Sequence, residues 1–499
     1  MSSKLLSKIL FVSCLFNILC NNSSQAQSNN FRQTIPVIEL QKDYEVLKTV
    51  LKNYHPGLYR YEDSLSIEKY FTELQNELNK EMSSTQLYLT LSRFTAKLKC
   101  GHTFCSFFNQ SGSIKDSIFN RKDKVPFTFF LFDKRMFIDK NLTESNLSEG
   151  SEVISINNIP VASIIDSLMP YLKGDGNNNG KRLIDLELSG LDKYEAFDIF
   201  FPLLFRPKNS IYEIAFKPKN KNEIQKLTAS CITRAERFAI MEQKYGKQPA
   251  TLDDLWSFSI LNENTAYLKL GTFVTNKLTI DWKKFLSNAF DEIKDKKIGN
   301  LIIDIRGNEG GDDEVNLVIG KYLASKPISF PEFKQLLRYE KVSDNIRPYL
   351  NTWDKSFYDR SGKLINLNNG FYTWKRSRDN EVINQNKNAF TGKTFLLVNA
   401  ANSSATFFLT GGLQQNKIAT IIGSETGGNR KGTNGGQLFF LWLPNSKIEI
   451  DIPLIGYYPL TEQPDRGLLP DILVIPTLAD ILNKKDKELE KAIEIINKK

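Results

Sequence analysis

With 499 residues, 41% of them apolar and 25% charged, the chain has room for about three domains and the composition of a globular protein, not of a fibrous or disordered one. Its formal charge is +9, but the basic residues are spread along the chain with no arginine-rich block or aromatic-interleaved patch, so nucleic acid is not indicated as a partner. Five cysteines without finger spacing and two histidines, His55 and His102, exclude a disulfide scaffold and a zinc site, and no other metal or cofactor is implied.

The first 26 residues have the form of an export signal. Lys4 and Lys8 precede an apolar run from Ile9 to Leu19, too short to span a bilayer, and Ser24-Gln25-Ala26 offers a cleavage site. Cleavage there removes Lys4 and Lys8 and leaves a charge of +7. Cys20 is the alternative reading: a lipidated cysteine that would tether the chain to a membrane. Cys14 and Cys20 leave with the signal, so the mature chain keeps Cys100, Cys105 and Cys231. The first two either pair in an oxidising compartment or stay as buried thiols.

Residues 27–118 read as a helical region. Leu40, Tyr44, Leu47 and Leu51 recur at helical spacing, as do Ile67, Phe71, Leu74 and Leu78, and then Leu87, Leu91, Phe94 and Leu98. The third helix opens at Ser83-Ser84-Thr85 and is expected to close on a left-handed turn at Gly101, which puts His102 on the loop just beyond it. From 119 to 235 the texture changes to short strands and turns. Glu149-Gly150 ahead of Val153-Ile154-Ser155-Ile156-Asn157 resembles the PDZ module, which takes up an extended peptide at a sheet edge. Gly174 to Gly180 and the helical stretch after it read as an insertion into that module.

Residues 236–499 hold the stretch on which the chain turns, NLIIDIRGNEGGDDE from Asn300 to Glu314. Leu301 to Ile305 form an apolar run broken only by Asp304, as in a strand covered on both faces of a parallel sheet. Three glycines follow before an acidic helix start, a place to hold an anion. There is no Walker lysine and no dinucleotide fingerprint, so a developing oxyanion is a better tenant than a phosphate. A second strand-to-helix unit runs from Thr394 through the Ala400-Ala401-Asn402-Ser403-Ser404 turn, and a third strand, Ile418 to Ile422, ends at GSETGG. In a parallel sheet these turns share one edge.

Taken with the lead strand AYLKLGTF and the PDZ-like module, these motifs resemble the tail-specific, or C-terminal-processing, serine peptidase family, in its histidine-containing branch with the tricorn core proteases. The resemblance implies an α/β fold with a Clp protease/crotonase-like core of strand-strand-helix units, an N-terminal helical region and the inserted PDZ-like module. It implies a serine peptidase acting on polypeptides, through their C-termini in the tail-specific members. On it Ser404 is the nucleophile, with oxyanion donors from Gly310, Gly311 and Ala405, while Arg306, Asn308 and Thr426 support the loops. Where the Ser-Lys branch carries its lysine this chain has Asn429, and Lys431 is two residues late. His102, in CGHT, fits the general base of the other branch. The orienting acid is expected at Pro464, which cannot serve, so Glu462 or Asp465 is the candidate. His55 is assigned to packing and Asp304 to a structural ion pair. An exported serine endopeptidase of the periplasm or envelope is the first reading. A binding protein that keeps the scaffold without turnover is the second.

Overall fold

A computed structural model describes residues 34–191, 194–375 and 382–498. The expected export signal, with Lys4, Lys8, Cys14 and Cys20, lies outside them. Three helices open the described chain: α1 (Val37–Tyr54), α2 (Ser64–Glu77) and α3 (Ser84–Lys97). The Ser83 hydroxyl caps α3 and Gln86 reaches back to complete a capping box, as the sequence predicts. The other end differs. The left-handed residue is Lys99, at φ 54°, and not Gly101. A side chain is tolerated there because the turn is fastened: Lys99 donates to the Ala96 carbonyl at 3.1 Å, accepts the Gly176 N–H at 2.9 Å, and its ammonium pairs with Glu62 at 2.6 Å.

The next module is an antiparallel sheet of β1 (Phe127–Phe132), β2 (Arg135–Asn141), β3 (Glu152–Ile156), β4 (Ile211–Lys217) and β5 (Gln225–Ser230), adjacent in that order. Helix α4 (Val161–Leu168) packs beneath it, burying Val161, Ile164, Ile165 and Leu168. Between α4 and β4 lies the insertion, with α5 (Asn179–Asp185) and the phenylalanine-rich α6 (Ala196–Leu204). It folds back on the sheet. Leu188 and Phe129 exchange backbone hydrogen bonds of 3.1 Å each way, so the outer edge of β1 is taken by the chain itself.

The core sheet begins with β6 (Trp256–Asn262), antiparallel to β7 (Thr265–Leu270), and continues in parallel through β8 (Asn300–Asp304), β9 (Lys393–Val398) and β10 (Thr420–Gly423). All five residues of β8 are buried, as a strand covered on both faces requires. Leu301, Ile303, Leu396 and Val398 face α7 (Trp282–Asp295), α8 (Glu314–Leu323) and α9 (Ala405–Gln415). Ile302, Phe395, Leu397 and Ile422 face the other way, towards a C-terminal helix, α10 (Lys487–Asn497). Each such side chain contributes about 1.5–3 kcal/mol by leaving water. A short last strand, β13 (Ile472–Leu473), pairs beside β10.

Between β10 and β13 runs a long ribbon that the apolar periodicity does not signal: β11 (Thr433–Trp442) and β12 (Glu449–Pro459). Gly435, Gly436 and Pro453 punctuate it, and its register shifts between Gly435 and Leu438. Phe439, Leu441, Ile450 and Ile452 enter the same apolar core as α1 to α3, so the ribbon packs with the N-terminal helices. Cys100, Cys105 and Cys231 are free and buried, so of the two states open to Cys100 and Cys105 the structure has the thiols.

Candidate active site

Ser404 sits at the turn between β9 and α9 with φ 53° and ψ −127°, outside the regions that L-residues favour. Such a conformation costs about 1–3 kcal/mol and persists only where the surroundings impose it. They do. Asn402 donates to the Ile305 and Asn308 carbonyls at 2.6 and 3.0 Å, and the Ser403 hydroxyl donates to the Glu309 carbonyl at 3.1 Å. The Ser404 turn is therefore laced to the glycine loop. The Ser404 side chain does not cap α9, which is the bland role a serine usually has in this place.

The glycines are needed for space as well as conformation. A Cβ at Gly310 (φ 103°) would stand 2.8 Å from the Ser404 Cβ and 2.7 Å from the Ser403 carbonyl oxygen. One at Gly311 (φ 143°) would stand 2.2 Å from the Phe273 carbonyl. The Gly310 N–H is already spent: it donates to Asn308 Oδ1 at 2.9 Å, while Asn308 Nδ2 donates to the Leu270 carbonyl at 2.8 Å. That corrects the expected set of oxyanion donors. Gly310 shapes the loop, and the groups left are the Gly311 N–H, which the pairing with Phe273 does not use, and the Ala405 N–H at the unpaired start of α9.

Arg306 has a different supporting role from the one expected. Its guanidinium bridges Asp304 and Asp486 at 2.7 Å each, fixing the strand end to α10, and Tyr267 adds a 2.6 Å bond to Asp304. Asp304 is thus paired, as its burial demands. Thr426 ties the loop after β10 to the C-terminal segment, its hydroxyl accepting the Leu468 N–H at 2.9 Å.

His102 lies on the loop beyond α3, its ring 3.6 Å from where a Cβ on Gly435 of β11 would stand. Burial lowers its proton affinity, the charge of Asp175 raises it, and Lys173 and Lys181 lower it. The net effect keeps the imidazole neutral at pH 7, the form a general base needs. Its Nδ1 is buried and has no hydrogen-bond partner among the described residues.

Neither predicted acid serves this ring. Glu462 is exposed on the C-terminal loop. Asp465 accepts from the Asn177 amide groups at 3.0 and 2.7 Å and from Asn429 Nδ2 at 2.6 Å. Asn429, in the register of the Ser-Lys lysine, is thereby an interior clamp, and Lys431 is exposed. The carboxylate that does reach the histidine loop is Asp175, accepting the Gly101 N–H at 2.8 Å. It stands in the inserted GDGNNNG turn, where a single acid between glycines is the one sequence signal that marks it.

The same turn reaches both halves of the site. Asp175 holds Gly101 on the histidine side, Asn178 donates to the Thr426 and Gly428 carbonyls at 2.8 and 3.0 Å, and Lys181 pairs with Glu309 of the glycine loop at 2.9 Å. A span of seven residues thus separates the anchors of the two loops. Alongside runs a cleft of about 620 Å³, walled by Phe104, Phe107, Phe108, Tyr171 and Tyr194 and reaching Gly307, Glu309 and Ala401. Neither Ser404 nor His102 lines it, so we place the chemistry at the convergent loops and not in this cleft. Among the described residues no cluster of His, Cys, Asp or Glu could hold a metal ion, and no helix is long and apolar enough to cross a membrane.

The strained serine and the glycine turn beside it both fall within residues 264–474, which match the sequence model described as Peptidase family S41. The matched stretch is an S41 peptidase domain. This S41 domain covers β7 to β13 and so includes both the glycine loop and the Ser404 turn. Among solved structures, mature CPAF complexed with lactacystin is similar over 92% of this chain and 97% of its own, at 14% identity and a TM-score of 0.62. Mature CPAF without it gives 14% identity, 92% and 96% coverage and a TM-score of 0.61. At that identity the likeness is one of fold, and it extends beyond the S41 domain into the helices and the antiparallel module. The photosystem II D1 C-terminal processing protease matches at 15% identity over 88% of this chain and 93% of its own, with a TM-score of 0.39. No curated protein matches the sequence.

Proposed function

We propose that this S41 protein is an exported serine endopeptidase of the periplasm or envelope, cleaving polypeptides through an acyl-enzyme on Ser404. His102 takes the hydroxyl proton as Ser404 attacks the substrate carbonyl, and the Gly311 and Ala405 N–H groups receive the charge that develops on the carbonyl oxygen. The imidazolium then protonates the leaving amine, and a water activated by the same ring releases the acyl group. Removing one oxyanion donor of this kind costs about 3–4 kcal/mol of transition-state stabilisation.

The observation that carries the reading is the backbone of Ser404, at φ 53°, held at the start of α9 against Gly310. A helix cap does not need that strain, whereas presenting a hydroxyl to an incoming carbonyl does. The antiparallel module contributes by its insertion, not by an open edge on β1, and we assign recognition of a substrate C-terminus to the cleft walled by Phe104, Phe107 and Tyr171. Fluorophosphonate labelling tests the proposal. Wild type should react and Ser404→Ala should not, and His102→Ala should abolish peptide hydrolysis while Lys431→Ala leaves most of it. A folded wild type that neither labels nor cleaves would sink it and favour a binding protein on the same scaffold.

A further inference from the structure

We infer that Asp175 is the acidic positioning residue for His102, doing from the insertion what the sequence assigns to Glu462 or Asp465. The inference rests on His102 being the proton carrier proposed above. Three features of the turn carry it.

The first is reach. Asp175 Oδ1 accepts the N–H of Gly101, the residue before His102, at 2.8 Å, and Oδ2 accepts the Thr433 hydroxyl at 3.0 Å. Thr433 stands two residues before Gly435, the other wall of the imidazole slot. One carboxylate therefore grips both sides of the slot, and the Gly176 N–H adds a 2.9 Å bond to Lys99. Glycine at 101 leaves room for this approach, since a Cβ there would lie 3.2 Å from the carboxylate and press it back by a few tenths of an ångström.

The second is charge. Asp175 is buried at 2% exposure, and among the described residues no ion pair joins it to a cation. The neighbouring Arg182 spends its guanidinium on the carbonyls of Leu172, Gly174, Gly176 and Asn178 and on the Asn179 side chain. Arg182 feels the charge of Asp175 without forming an ion pair with it, and a buried carboxylate so partly compensated is costly to maintain. Protonation of His102 during the reaction adds positive charge nearby, so the attraction grows as the imidazolium forms, where it accelerates the step.

The third is the state of the other charges around the ring. Lys181 is already paired with Asp185 at 2.5 Å and Glu309 at 2.9 Å, and Lys173 lies 4.2 Å over the Phe104 ring. Cys100, beside Asp175, is a buried thiol that burial holds protonated. Burial, Lys173 and Lys181 all oppose a charged His102, and Asp175 is the group that favours it.

The experiment uses the full chain and compares wild type, Asp175→Asn, Asp175→Glu, Thr433→Val and His102→Ala by fluorophosphonate labelling rate and peptide kcat/KM from pH 4 to 9, with Tm as the check on folding. Asp175→Asn should react about 10²-fold more slowly. The acidic limb of its profile should move to lower pH, because a neutral amide no longer favours the protonated ring, and Asp175→Glu should restore part of both. A folded Asp175→Asn whose limb stays where wild type has it overturns the inference, whatever its rate. Should the asparagine variant not fold, Thr433→Val keeps the charge and removes one anchor: slower labelling supports the assignment and wild-type labelling at every pH overturns it. If His102→Ala labels like wild type, the serine–histidine reading falls and this inference with it. An inert His102→Ala beside an unshifted Asp175→Asn removes the inference alone.

Discussion

His55 Nε2 lies 2.8 Å from Thr103 Oγ1, while Nδ1 of the same ring accepts the Gly57 N–H at 3.1 Å. Because Nδ1 is the acceptor, Nε2 carries the proton and donates to the threonine that follows His102. The second histidine is thus a neutral link beneath the histidine loop, more than the packing residue its sequence position suggests. Burial, with help from Arg60, lowers its pKa to about 3. The unfolded chain binds a proton near pH 6.5 and the folded chain does not, so stability is complete above that pH and is lost as the pH falls towards 3. From neutrality to pH 5 the loss from this one group is about 2 kcal/mol. Tm measured from pH 4.5 to 8 should fall on the acid side in wild type, and His55→Asn should flatten that fall. An equally steep decline in the variant would show that other groups set it.

Gly310→Ala places a methyl group 2.8 Å from the Ser404 Cβ, on a backbone at φ 103°. The nucleophile turn must move or the glycine loop must open. Overpacking of this kind costs about 1–3 kcal/mol, but the activity should fall much further than Tm, since a misplaced hydroxyl loses its aim. Tm and kcat/KM measured together check this, and a variant that keeps both would mean the loop is not fixed against Ser404.

Glu462→Gln should leave peptide cleavage close to wild type, because the side chain is exposed and surface changes usually stay within about 0.5 kcal/mol. Asp465→Ala should act differently: it strips the acceptor from Asn177 and Asn429 and loosens the inserted turn. Its loss of activity should come with a lower Tm and an unmoved acidic limb. A large loss from Glu462→Gln would return the orienting role to the C-terminal loop.

A buried carboxylate pair on β12 lies outside the reaction. Glu449 is wholly buried, neither of its oxygens has a hydrogen-bond partner of ordinary geometry among the described residues, and Asp451 follows two residues on. Burial and then their mutual repulsion push the Glu449 pKa up. Folded Glu449 keeps a proton that the unfolded chain releases above about pH 4.5, so folding loses up to about 1.4 kcal/mol per pH unit above that point. Glu449→Gln should raise Tm, with a gain that widens between pH 5 and 8. A gain that does not change with pH would rule out the titration as its cause.

The core was readable in the sequence because its signals are local. Leu301–Ile305 and Thr394–Val398 are uninterrupted enough to announce strands covered on both faces, and the turns after them follow from glycine and serine placement. The proposal of His102 as the base draws on family resemblance, since nothing in CGHT itself tells a base from a helix-end residue. What escaped depends on distant partners. The left-handed turn falls on Lys99 because Glu62 and Gly176 hold it, and neither is near in sequence. Asp175 sits among glycines and asparagines that read as a loop, and its importance comes from Gly101 and Thr433, 74 and 258 residues away. The β11–β12 ribbon is hidden by its own glycines and proline.

The inserted segment belongs by chain order to the antiparallel module, yet Asp175, Asn178 and Lys181 spend their bonds on the histidine loop, the Thr426 loop and the glycine loop. The boundary between the antiparallel module and the loops of the core sheet therefore does not coincide with any stretch of linker. Grafting a foreign module in place of residues 119–235 would take away the bonds that hold the three loops of the proposed site, and a working chimera would have to keep the strip from Gly174 to Asp185 as native chain.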